Sequence, residues 1–162
     1  MVKNRCCQIS QRWVARESAD RGAVIRVLSG QRVLRWRDRT AVAVASDSGS
    51  DAFDFLFALF ANVFQMRDWI RASRRDLEND VMALFRDSAN LCLVRDLTNG
   101  SKYMEVASYS IDGAATVARE YVGGDENRYV VPIPGGRNLE GMLLADGCIA
   151  EIRSFMEAKS LL

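Results

Sequence analysis

Two short polar runs interrupt otherwise apolar stretches of this chain. The first is Arg67-Asp68-Trp69, and the second is Arg95-Asp96-Leu97-Thr98-Asn99-Gly100-Ser101-Lys102. Carboxylate, guanidinium, amide and ammonium groups at the ends of neighbouring helices can hold a small polar ligand. The same groups can instead close on one another as a clamp between helix ends, with Asp68 the natural partner of Arg95 or Lys102. Asp68, Arg95, Asp96, Asn99 and Lys102 are therefore the candidate ligand-binding residues, and the clamp is the plainer alternative. A separate basic set, Arg26, Arg32, Arg35 and Arg37 with Trp13 and Trp36, is suited to gripping a phosphate backbone and stacking a base.

What the chain lacks narrows the chemistry. Its 162 residues include no histidine, which removes the usual general base, the Ser-His and Cys-His nucleophile pairs and the commonest metal ligand. The four cysteines, Cys6, Cys7, Cys92 and Cys148, have no C-x-x-C spacing. Cys92 and Cys148 fall in helix-like apolar stripes and are expected as buried, reduced thiols. No phosphate-loop, dinucleotide-binding or nucleophile-elbow run occurs. Glu78, Asp80, Glu151 and Glu157 have the spacing of solvated helix faces, and the Glu-x-x-His of a di-metal bundle is absent. No metal and no cofactor are expected.

Apolar residues make up 49% of the chain and charged residues 27%, as in one ordinary globular domain, which excludes disordered, collagen-like and disulfide-scaffold classes. The longest apolar run, Phe55 to Ala61, falls far short of the roughly 20 residues that span a bilayer. No secretory leader pattern is visible, so the expectation is a cytoplasmic protein with no membrane partner. The net charge of +1 hides an asymmetry: residues 1–48 carry ten basic and four acidic residues (+6), and 49–162 carry twelve and seventeen (−5). A basic portion can attract nucleic acid, an acidic partner or the acidic remainder of its own chain.

These groups must be positioned by elements that the hydropathy pattern outlines. The run Ser46-Asp47-Ser48-Gly49-Ser50 marks a linker, dividing a basic, β-rich or irregular segment at 1–48 from a domain at 51–162. Before it, Ala23–Leu28 and Gln31–Arg37 flank Ser29-Gly30 as a candidate hairpin, with Thr40–Ala45 as a third strand. From Asp51 the period becomes helical, with Phe53, Leu56, Phe57, Phe60, Val63, Phe64 and Ile70 at 3/4 spacing. Phe55, Leu59, Met66 and Trp69 widen that stripe beyond what a small bundle covers. Ser73-x-x-Asp76 reads as a capping box opening a second helix. A third runs from about Ser88 to Thr98, ended by Asn99-Gly100.

The period then switches. Tyr103–Ile111 and Ala114–Val122 enclose Asp112-Gly113, a favoured hairpin turn, which sets Glu105 opposite Glu120. Arg128–Ile133 follows as a third strand. A last helix runs from about Leu139 to Lys159, weakened by Gly141 and Gly147 at roughly 1 kcal/mol each.

The run Phe64-Gln65-Met66-Arg67-Asp68-Trp69, followed by Cys92-Leu93-Val94-Arg95-Asp96-Leu97-Thr98-Asn99-Gly100-Ser101-Lys102-Tyr103, resembles a loose group of bacterial helical proteins of no known activity. That group has an aromatic-His-x-x-Asp-Trp run, then an Asp-x-x-Asn-Gly-x-Lys-His run, then strands and a closing helix. The resemblance covers roughly 51–160. Gln65 and Tyr103 stand where the group has histidine, so any catalysis resting on those histidines is lost here. A second similarity, to HEPN-type four-helix domains, implies at most a non-catalytic helper. The ribonucleases of that class use Arg-x(4–6)-His, and no histidine follows Arg95.

The expected fold is α+β: a helical bundle with an antiparallel β-meander between the third and last helices. The expected role is a non-enzymatic interaction or oligomerisation module, a homodimer, because the Phe53–Ile70 helix has more apolar circumference than its own chain covers. A small-ligand site or weak enzyme at the Asp/Arg/Asn/Lys cluster is one alternative. Nucleic-acid association through the arginines is the other, ranked behind a protein partner.

Overall fold

The computed structural model describes residues 30–46, 49–102, 116–123, 126–133 and 137–162. The expected strands at 23–28 and 103–111, together with Cys6, Cys7, Trp13, Arg26 and Glu105, lie outside the described residues. Within them the fold is α+β, a bundle of helices with a three-stranded antiparallel sheet inserted ahead of the last helix.

The first described element corrects the sequence reading. Residues 30–45 are helical (α1), so Gln31–Arg37 and Thr40–Ala45 are not strands. Over 31–37 period 2 sets Leu34 and Trp36 opposite Gln31, Arg35 and Arg37, with Arg32 and Val33 out of place. Continued to Val44, however, only the helical period keeps Val33, Trp36, Thr40, Ala43 and Val44 on one side. That side packs on the core, where Val33, Thr40 and Ala43 are buried and Trp36 and Val44 lie against it. Ala41, Ala43 and Ala45 add helix propensity that a strand wastes.

Helix α2 (Ser50–Ser73) is the axis of the molecule. Gly49 has φ of 54°, a left-handed conformation that glycine adopts without strain. Leu56, Leu59, Phe60, Val63 and Ile70 are fully buried, and α3, α4 and α5 all pack against this helix. Three of its remaining aromatics meet another ring, while Phe57 is half-buried outside the core cluster. Phe53 meets Tyr129 edge-on at 4.9 Å, Phe55 meets Trp36 at 5.9 Å and Phe64 meets Phe85 at 6.2 Å. The expected surplus of apolar circumference is thereby reduced to half-buried positions such as Phe57, since no large apolar side chain of α2 is among the exposed ones. The cover that the sequence reading lacked is in part α1, whose Trp36 closes over Phe55.

The join to the next helix also differs from expectation. Ser73 does not cap it; its hydroxyl donates to the Trp69 carbonyl at 2.8 Å, one turn back within α2. Asp76 is held by Arg74, and a single 3₁₀ turn (Arg75–Leu77) leads into α3 (Glu78–Asp87). Ser88 then caps α4 (Ala89–Lys102), its Oγ accepting from the Leu91 N–H at 3.1 Å. Asn99-Gly100 does not stop this helix, which runs on to Lys102. Leu91, Val94 and Leu97 face inward as the spacing predicts.

The sheet comprises β1 (Ala118–Gly123), β2 (Glu126–Ile133) and β3 (Arg137–Glu140), in the order β1-β2-β3. Tyr129 and Val131 on the central strand join the helical core, and Glu120 stands across from Arg128. Pairing of β1 with β2 reaches only Val130, so Pro132, which lacks an N–H, sits where β2 has β3 alone beside it. Residues 137–140 form β3, where Leu139 pairs with Val131, so Leu139 and Glu140, expected to begin the last helix, are strand instead. Helix α5 (Gly141–Ala158) starts directly after it. Gly141 is required there: a Cβ would lie 2.6 Å from Leu56 Cδ2 and 3.2 Å from the Tyr129 carbonyl oxygen.

Candidate functional site

The polar groups of the molecule divide into those closed by a partner and those left open. The cluster expected from sequence belongs to the first kind and is not one cluster. Asp68, near the end of α2, is bound on its own helix by Arg67 at 3.0 Å and Arg71 at 3.6 Å. Arg95 pairs with its neighbour Asp96 at 3.1 Å, and the Asp96 side chain is 1% exposed. Among the described residues no hydrogen bond or ion pair joins Asp68 to α4. Asn99 is half-buried, and the side chain of Lys102 lies outside what the structure describes. The two motifs thus sit on separate helices, each satisfied locally.

Several carboxylates elsewhere are engaged in the same way, while Asp51 and Asp54 near the start of α2 are exposed. Arg74 draws the Asp76 carboxyl below its ordinary range through a hydrogen bond, and Arg86 does the same to Asp87. Asn90 donates to Glu151 at 2.7 Å, and Lys159 pairs with Asp80. Burial pushes the Cys148 thiol up to about 12, so it is a protonated, unreactive core group at neutral pH. Cys92 is buried too, its thiol directed at the Phe85 and Arg86 carbonyls. Both thiols stand as the sequence predicts. Among the described residues no group of three or more Cys, Asp or Glu side chains gathers as a metal site requires.

Exposed arginines without such a partner gather on α1, while Arg75 in the 3₁₀ turn stands alone. Successive residues of an α-helix are 100° apart, so Arg32, Arg35 and Arg39, at i, i+3 and i+7, fall within about 60° of its circumference. All three are exposed, and none is within ion-pair distance of a described carboxylate. Arg37, grouped with them by the sequence reading, points elsewhere. It makes a two-pronged contact with Asp146 of α5, Nε to Oδ1 at 2.9 Å and Nη2 to Oδ2 at 3.0 Å, and the pairing raises its pKa. Asp38, the one carboxylate on α1, lies 3.6 Å from this same Arg37. Arg26 lies outside the described residues.

Two indoles flank the open arginines. The Arg39 guanidinium lies over the Trp36 ring at 5.4 Å, and that of Arg32 lies over Trp69 of α2 at 5.8 Å. Thr40 fixes the register of α1 on α2: fully buried, its hydroxyl is 2.8 Å from the Trp36 carbonyl and 3.0 Å from that of Phe55. Sequence reasoning missed Arg39 and Trp69. The i, i+3, i+7 spacing of Arg32, Arg35 and Arg39 would have shown the face once the segment was read as a helix.

Comparison with protein-family models, with curated proteins and with solved structures gives no match. Among the described residues no helix is long and apolar enough to cross a membrane.

Proposed function

We propose that this protein is a non-enzymatic binding module that engages an acidic partner through the outer face of α1. The observation that carries the reading is the contrast in pairing: Arg32, Arg35 and Arg39 share one exposed face with no described carboxylate in ion-pair distance, Asp38 at its edge lying nearest Arg37, whereas Arg37 on the other side of the helix is held by Asp146. Three adjacent guanidiniums repel one another unless an anion lies across them, and α1 is anchored by Thr40, Trp36 and the Arg37–Asp146 pair without using them. The experiment is elution by salt from an immobilised polyanion. The variant Arg32→Gln/Arg35→Gln/Arg39→Gln is compared with a charge-matched control, Arg75→Gln/Arg86→Gln/Arg153→Gln. The α1 variant elutes at distinctly lower salt than the control; equal elution of the two overturns the reading.

A second reading, self-association, draws on a different observation. Leu34 and Val42 on α1 and Leu143 on α5 are more than half exposed, at 51%, 69% and 61%, on helices that the Arg37–Asp146 contact holds together. A homodimer would use apolar positions of these two helices, because no large apolar side chain of α2 is among the exposed ones. Sedimentation at high concentration tests it: a change in mass that Leu143→Glu abolishes supports the dimer, and a monomer of 18.1 kDa throughout removes it.

A further inference from the structure

We infer that the acidic partner of the α1 face is a single-stranded nucleic acid, with phosphates taken by Arg32, Arg35 and Arg39 and bases stacked on the two guanidinium–indole pairs. The inference rests on the acidic-partner reading and narrows it. Three observations favour this occupant over an acidic protein surface. The three arginines rise about 4.5 and 6 Å apart along the helix axis, a row of about 10 Å that suits consecutive charges on a strand. Arg39 over Trp36 and Arg32 over Trp69 place flat cationic groups on indoles, with the arginines themselves exposed. Such planes are what unpaired bases stack upon, and carboxylates have no use for them. The chain before α1 continues the charge, with six basic and two acidic residues over 1–29.

A duplex hides the faces of its bases, so the stacking half of the site would go unused on double-stranded nucleic acid. Arg37 takes no part, since Asp146 already occupies both prongs of its guanidinium.

The test is fluorescence anisotropy of the full chain with a labelled oligothymidylate and the same strand in a duplex, over a series of salt concentrations. Wild type is expected to bind the single strand, more tightly than the duplex, and to lose affinity linearly on a log–log salt plot. The triple variant Arg32→Gln/Arg35→Gln/Arg39→Gln loses about tenfold or more in affinity, and its slope falls by roughly 2, near 0.7 for each phosphate contact removed. Trp36→Phe, which keeps an aromatic ring against Phe55, weakens single-strand binding several-fold with the salt slope unchanged, a signature that loss of charge alone does not give.

Absence of oligonucleotide binding at low salt overturns the inference, as does binding that the triple variant retains while its circular dichroism is native. A preference for the duplex with no effect of Trp36→Phe overturns it too. Retention on polyglutamate that depends on the three arginines, without oligonucleotide binding, overturns the nucleic-acid inference and leaves the acidic-partner reading standing. Loss of both overturns the two together.

Discussion

On α4, the Asp96 side chain is sealed from solvent and takes a hydrogen bond from Arg95. On α1, Arg32, Arg35 and Arg39 face water with no described carboxylate in reach. The same guanidinium chemistry is thus used in two ways. The α4 pair is part of what makes the bundle specific, because a carboxylate removed from water must be compensated or it will not stay buried. The α1 arginines stay exposed, two of them over indole rings, and keep their charge for an incoming anion. A polar run in an apolar stretch is therefore weak evidence for a binding site. Lack of a partner on the surface is the stronger sign.

The comparison is broken most forcefully from the buried side. Asp96→Ala deletes a sealed carboxylate together with the hydrogen bond it accepts from Arg95 and is expected to lower stability by about 2 kcal/mol, read as a fall in the urea midpoint. A fall of less than about 1 kcal/mol would mean that the α4 pair is not structural, and the division drawn here would fail. Next in size is Thr40→Val, which deletes the hydroxyl held between the Trp36 and Phe55 carbonyls. It should cost about 1 kcal/mol and expose α1 to faster hydrogen exchange than α4. The smallest effect sharpens the contrast within α1 itself. Arg37→Gln gives up a half-exposed pair and should cost about 0.5 kcal/mol, whereas Arg35→Gln should leave stability unchanged within measurement. If Arg35→Gln is the more damaging, the open face has a structural partner after all.

Much of the architecture was readable because it rests on long, regular patterns. The 3/4 spacing from Phe53 to Ile70, the Leu91-Val94-Leu97 series and the apolar stripe of α5 each recur over several turns, and only a helix buries them. Residues 30–45 were misread because the seven positions from Gln31 to Arg37 fit period 2 in part, and Ser29-Gly30 resembled a hairpin turn. The consequence spread. With α1 taken for strands, Phe55 had no Trp36 above it, so α2 was judged too apolar for one chain. Leu139 and Glu140 read as the start of the last helix because nothing local distinguishes the end of a four-residue strand from a first helical turn. The candidate site fared worse than the fold, since composition names groups able to pair without saying which of them meet. Asp68 and Arg95 are suitable partners by chemistry, yet each already has one on its own helix.

The close approach at Gly141 makes the order of sequence change matter. Gly141→Ala alone drives a methyl group into Leu56 Cδ2, 2.6 Å away, at the junction where sheet, α2 and α5 meet. Leu56→Val alone is the milder step, leaving a small void at the cost of about 1 kcal/mol. Once taken, it gives the new methyl room, with only a slight shift needed at the Tyr129 carbonyl 3.2 Å away. The two positions are therefore coupled along a one-way route, and drifting descendants of this chain should trim position 56 before they enlarge position 141.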